Sequence, residues 1–146
     1  MSGFIVRRAL ITDAAEINQL CRVCLGYDYP QEETEKKLKK VLADDSCRVF
    51  AAVISDRVAG FVHAESYDLL YYPHMKNILG IAVFDEYRRM GIGRALLDAV
   101  ENWAGASGAA GVRLVSGAER TAAHESYRRC GYGGGKNQIN FKKSVE

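Results

Sequence analysis

Between Thr12 and Leu25 the apolar positions Ile17, Leu20, Cys21 and Cys24 recur at intervals of three and four residues, the spacing of one helix face. Thr12 or Asp13 stands where a helix cap is needed. Residues 31–44, "QEETEKKLKKVLAD", repeat the pattern with Leu38, Val41 and Leu42 as the apolar stripe. Their acids lie in the first turn and their lysines later, the order that the helix dipole favours. The lysines read as a solvated face, because the apolar stripe already accounts for the helix. "GYDYP" separates the two helices as a turn.

The pattern then changes period. "CRVFAAVI" and "RVAGFVHAESY" are β-rich runs divided by Ser55-Asp56, the signature of a hairpin. "ESYDLLYYPHM" reads as a loop, and "KNILGIAVF" (76–84) as the next strand. A helix beginning near Gly91 puts Leu96, Leu97, Val100 and Ala104 on one face and ends at "GASGAAG". "VRLVSG" (112–117) reads as a short buried strand, "TAAHESYRRCGY" as a helix ended by Gly131, and "NQINFKK" as a closing strand. "FIVRRAL" (4–10) is the first strand, so the expected order is β-α-α-β-β-β-α-β-α-β. A meander followed by a β-α-β crossover implies an α/β fold whose sheet is mixed in direction.

Composition narrows the function more than the fold. A chain of 146 residues with 48% hydrophobic content fits a single domain over 1–146. The formal net charge is +2 with both signs interspersed, which argues against a nucleic-acid partner. No run resembles a signal peptide or a membrane span, so a cytoplasmic protein with no membrane partner is expected. Four scattered cysteines do not make a disulfide framework. "CRVC" has the C-x-x-C spacing, but no second Cys/His pair accompanies it, so no metal site is expected.

The chemistry concentrates in "EYRRMGIGRALLDAVENWA", Glu86–Ala104. A strand, a glycine turn and a helix start form a general anion receptor, with unpaired N–H groups and the positive end of the helix dipole. Gly91 and Gly93 permit close approach, while Arg88, Arg89 and Arg94 supply charge. "GIGRAL" lacks the Lys-Ser/Thr of a P-loop, and Leu96 stands where a dinucleotide turn needs its third glycine.

What remains is Arg88-x-x-Gly91-x-Gly93 directly after a strand ending at Val83. With its flanks this resembles the acetyl-CoA-binding motif of the GNAT N-acetyltransferases, Gln/Arg-x-x-Gly-x-Gly/Ala. "RTAAHESYRRCGY" (120–132) is similar to a second segment of bacterial members, Ala-His-x-x-Tyr-x-x-x-Gly-Phe/Tyr. The element order over nearly the whole chain agrees. The resemblance implies a GNAT-like α/β fold, with a mixed, mostly antiparallel central sheet flanked by helices. It also implies acetyl-CoA as cosubstrate, a small-molecule or peptide amine as acceptor, and allows a homodimer.

Residue by residue, the resemblance places the CoA pyrophosphate on Arg88, Arg89, Met90, Gly91, Ile92, Gly93 and Arg94. The pantetheine arm would pair with the backbone of Ile81, Ala82 and Val83 like an added strand. The Val83 N–H would stabilise charge on the acetyl oxygen. Tyr127 matches the family tyrosine near the cofactor sulfur and is the candidate general acid, while Arg120 stands at a cofactor-contacting position. No general base is assigned. Asn77 and Leu79 stand early in the strand, where many relatives carry a glutamate, and Glu65, His63 and His74 are unranked alternatives. A non-catalytic acyl-CoA sensor is the competing reading, favoured by the missing glutamate and opposed by Tyr127.

Overall fold

Ser55 and Asp56 adopt φ of +46° and +65°, the left-handed pair that a two-residue hairpin turn requires. They join β2 (Cys47–Ile54) to β3 (Arg57–Leu69) in the computed structural model, which describes residues 3–145. β3 turns into β4 (Tyr72–Val83) through only Leu70 and Tyr71, with Leu69 opposite Tyr72. The segment expected to be a loop around "ESYDLLYYPHM" is therefore mostly ladder. Its tyrosines and Leu69 are good strand residues, and cross-strand pairing outweighs the turn signal of Asp68 and Pro73.

β1 (Ile5–Arg8) pairs antiparallel with β2, and β5 (Gly111–Leu114) pairs parallel with β4. The sheet order β1-β2-β3-β4-β5 follows the chain, three antiparallel pairings and one parallel. This is the mixed α/β sheet expected. The described residues divide into two compact units, the first ending at Leu114 and the second beginning at Val115.

In the first unit, α1 (Ala14–Leu25) and α2 (Gln31–Leu42) cover one face of the sheet. Ile17, Leu20 and Leu38 pack there with Val49, Ala51, Val58, Phe61 and Ala82. α3 (Ile92–Ala106) touches all five strands and buries Ile92, Leu96, Leu97, Val100 and Ala104. Alternation along β2 and β3 sends Ala52, Val62 and Ala64 to this second face. Trp103 of α3 lies there beneath two cations, Lys76 at 4.0 Å and Arg48 at 5.1 Å from the ring centre.

Polar groups fix how the helices enter. Asp13 does not cap α1 with its side chain; its carboxylate takes the Leu10 N–H at 2.8 Å and the Arg7 guanidinium at 2.7 and 3.0 Å. Asn18, buried on α1, donates to the Tyr29 carbonyl at 2.8 Å and to Thr34 Oγ1 at 2.9 Å, which ties down the turn between α1 and α2.

The second unit contains α4 (Thr121–Arg129), which ends shortly before Gly131 at φ +92°. The expected closing strand over 137–143 is absent: these residues have no regular structure, and Ile139 and Phe141 are 78% and 85% exposed. Their alternation has the right period, but a strand exists only where a ladder accepts it.

Candidate acetyl-transfer site

Two register features shape β4. His63 lies opposite Gly80 and Ala64 opposite Ile78, so Leu79 is an extra residue, a bulge. On the other side, β5 pairs with Met75–Ile78 and stops. From Leu79 to Val83, β4 has a ladder with β3 and no strand on its far edge among the described residues.

The orientation of that edge follows from one bond. Phe84 N–H donates to the Ala59 carbonyl at 3.0 Å, which makes Gly60–Val83 a non-hydrogen-bonded pair. Ala82 therefore bonds into β3, while the N–H and C=O of Ile81 and Val83 point outward. The pair is close: a Cβ on Gly60 would lie 2.8 Å from the Ala82 carbonyl oxygen. Cys24, at the end of α1, reaches the Val83 carbonyl with its thiol at 3.4 Å. Burial pushes this thiol up, and the nearby Arg88 guanidinium opposes that rise.

Beyond Phe84, a single 3₁₀ turn over Asp85–Tyr87 leads to Arg88, which pairs with Asp85 at 3.1 Å. Arg89 at φ +66° and Gly91 at φ +85° are both left-handed, and they swing the chain into α3. The first intrahelical bond runs from Ala95 N–H to the Gly91 carbonyl at 3.0 Å. The N–H groups of Ile92, Gly93 and Arg94 thus have no acceptor within the helix, and no acidic residue occupies its first turn. A Cβ at Gly93 would meet nothing within 4 Å, so packing does not explain this glycine. Arg88, Arg89, Met90 and Arg94 are exposed around the turn. An extended chain ending in phosphates fits this arrangement: amides beside Ile81 and Val83, anions at the helix start.

Ile81 through Arg94 are thus one continuous strand, turn and helix of the first unit. Tyr127 and Arg120 belong to the second. Arg120 precedes the first residue of α4, and its carbonyl takes the His124 N–H at 3.1 Å. Tyr127 lies edge-on to Tyr132, with ring centres 6.4 Å apart. Burial raises its phenol above the ordinary value although Arg120 pulls the other way, so it stays protonated at neutral pH.

A polar network that the sequence did not reveal spans three strands. Asn77, buried on β4, donates to Glu65 Oε2 of β3 at 3.1 Å and accepts from Arg113 Nη1 of β5 at 2.7 Å. The Arg113 guanidinium lies over the Tyr67 ring at 4.4 Å. Only the cross-strand register unites these four residues, and no linear spacing signals it. His74 is committed elsewhere, its Nδ1 to Asp68 at 2.7 Å and its Nε2 to Lys76 Nζ at 3.2 Å. Among the described residues no helix is long and apolar enough to cross a membrane.

Solved structures share this fold. An aminoglycoside N-acetyltransferase, AAC(6')-Iy, in complex with CoA is 19% identical, with a TM-score of 0.88 over 99% of this chain and 97% of that one. AAC(6')-Ih from Acinetobacter baumannii is 17% identical, with a TM-score of 0.84 over 99% and 100% of the two chains. A transcriptional regulator from Bacillus halodurans is 17% identical, with a TM-score of 0.88 over 97% and 100%. No curated protein matches the chain by sequence. The model of the Acetyltransferase (GNAT) family matches residues 14–132, from the first residue of α1 to Tyr132. With more than half of its length so matched, the chain belongs to the GNAT acetyltransferases.

Proposed function

We propose that the protein is an N-acetyltransferase that moves an acetyl group from acetyl-CoA to a primary amine by direct attack within a ternary complex. The observation that carries this reading is the continuity of the open β4 edge with the helix start at Gly91. One covers the length of an extended amide-bearing arm, and the other supplies N–H donors for its phosphates. A CoA complex of AAC(6')-Iy, a protein of the same fold, supports the choice of cosubstrate. The names of several neighbours point to small, cationic amines as the acceptor class.

In this reading Ile92, Gly93 and Arg94 hold the pyrophosphate through backbone N–H groups, with Arg88, Arg89 and Arg94 adding charge. The backbone of Ile81–Val83 aligns the pantetheine arm, which puts the thioester past Ile81, toward the Leu79 bulge and away from the Val83 N–H expected to hold the acetyl oxygen. Acetyl-CoA supplies the activated thioester. Tyr127 gives its proton to the departing sulfur, and Arg120 contacts the cofactor. The family match extends through both units, which supports treating them as one acetyltransferase domain.

Thermal melting with acetyl-CoA tests the binding half. At about 100 times its dissociation constant the ligand should add about 2.7 kcal/mol of stability. No shift at millimolar acetyl-CoA would overturn the proposal. Thiol release in the presence of amines tests the transfer half.

A further inference from the structure

We propose that Glu65 is the general base of this transfer, with Asn77 and Arg113 as the residues that position it; the inference rests on the acetyltransferase reading above. A primary amine of ordinary basicity is an ammonium ion at neutral pH, its pKa being about 10. It must lose a proton before it can attack. Four side chains of the β3–β4 pair could receive that proton, but Asp68 is paired with His74 beside the Leu70–Tyr71 turn, at the end of the hairpin remote from the open edge, which leaves His74, His63 and Glu65.

The structure ranks them. His74 has both ring nitrogens engaged, by Asp68 and by Lys76, and it shares with Lys76 the face covered by α3. His63 is kept neutral because burial lowers its pKa against the pull of Glu65. Its Nε2 is sealed from solvent with no hydrogen-bond partner, so that nitrogen offers no route by which a substrate proton could arrive.

Glu65 is half-buried on the α1–α2 side of β3, and only its Oε2 is used; among the described residues its Oε1 makes no hydrogen bond. The carboxylate is also aimed. Arg113 can only donate and an ionised Glu65 can only accept, so the Asn77 amide has one workable orientation, carbonyl to Arg113 and NH₂ to Glu65. Arg113 is in turn held against Tyr67. The network lies one residue before the Ile78–Leu114 pair, where β5 stops and the open edge of β4 begins. Glu65 itself is on β3, one strand in from that edge and near its Leu79 end, where the thioester lies in the reading above.

The step balances without a further reactant. The acceptor ammonium gives one proton to Glu65 Oε1, directly or through one water. The freed nitrogen lone pair attacks the thioester carbonyl carbon, the C–N bond forms and the C–S bond breaks. The sulfur leaves with the Tyr127 proton, the second proton from nitrogen restores Tyr127, and Glu65 returns its proton to solvent.

The test is thiol release by the full chain with acetyl-CoA and either spermidine or sisomicin, across pH. Glu65→Gln keeps an oxygen for Asn77 and removes the basic group. We expect kcat to fall about 10²–10⁴-fold, the acidic limb of the kcat–pH profile to vanish, and the thermal shift with acetyl-CoA to be unchanged. Asn77→Leu removes the donor that orients the carboxylate, so kcat should fall while KM for acetyl-CoA holds, a split that a purely structural role would not produce. Wild-type kcat and pH profile in Glu65→Gln would overturn the base and leave the acetyltransferase reading standing. Absence of thiol release by the unsubstituted protein with both amines would overturn the two together.

Discussion

The Cys24 thiol donates to the Val83 carbonyl oxygen at 3.4 Å, fixing the last turn of α1 to the last residue of the open β4 edge. Cys24→Ala leaves that carbonyl without its donor and should cost about 1 kcal/mol, read as a fall in Tm of about 3–5 °C. Cys24→Ser retains a donor and should recover part of the loss. Equal melting of the alanine variant and the parent would show that the contact contributes nothing.

Gly93 separates packing from ligand binding. A Cβ there meets nothing within 4 Å and the residue is helical, so Gly93→Ala should raise stability by up to about 1 kcal/mol. The same methyl would stand where the phosphates are proposed to approach the helix N–H groups, so acetyl-CoA affinity should fall at least about tenfold, or about 1.4 kcal/mol. Denaturant melts and calorimetric titration check the two halves. Undiminished affinity would remove the pyrophosphate from this turn.

Tyr127→Phe tests the proton donor. Burial raises the phenol, so its acid form persists throughout the neutral range. The substitution should lower kcat by about 10²-fold or more and leave the thermal shift with acetyl-CoA intact. Unchanged thiol release would take the general-acid role from Tyr127.

Acid should loosen the N-terminal part of the first unit. Burial alone would raise the Asp13 carboxyl, but the Arg7 guanidinium and the Leu10 N–H outweigh it and hold the carboxyl below its ordinary value of 3.8. A depressed carboxyl stabilises the fold fully above its unfolded pKa, and the contribution is lost as pH falls through the folded one. Asp13→Asn should therefore cost about 2 kcal/mol at pH 7, and the gap from the parent should narrow below about pH 4. Equilibrium unfolding at pH 7 and pH 3 measures both; a gap independent of pH would refute the linkage.

The helices were legible because their apolar positions report one face each: Ile17 and Leu20 on α1, Leu38 on α2, Leu96 and Val100 on α3 are all buried. The turn at Gly91 was legible for a different reason, since positive φ and an open helix start restrict residue choice locally. Strand limits were less so. Leu70 and Tyr71 form a turn without turn residues, and Ile139 and Phe141 alternate without a partner strand. The Glu65–Asn77–Arg113 network was hidden altogether, because it depends on which residues of three strands stand opposite one another.

The agreement between strand order and chain order bears on how the molecule folds. β2, β3 and β4 are joined by two-residue turns, so their ladders close over short stretches of chain and can form on the microsecond timescale of hairpins. β1 must close across α1 and α2, and β5 must wait for α3 to cross over. Those two closures carry most of the loop entropy and should limit the folding rate. β4 then acquires its second neighbour last, and only over Met75–Ile78, so the edge beyond Ile78 stays as the early hairpin left it.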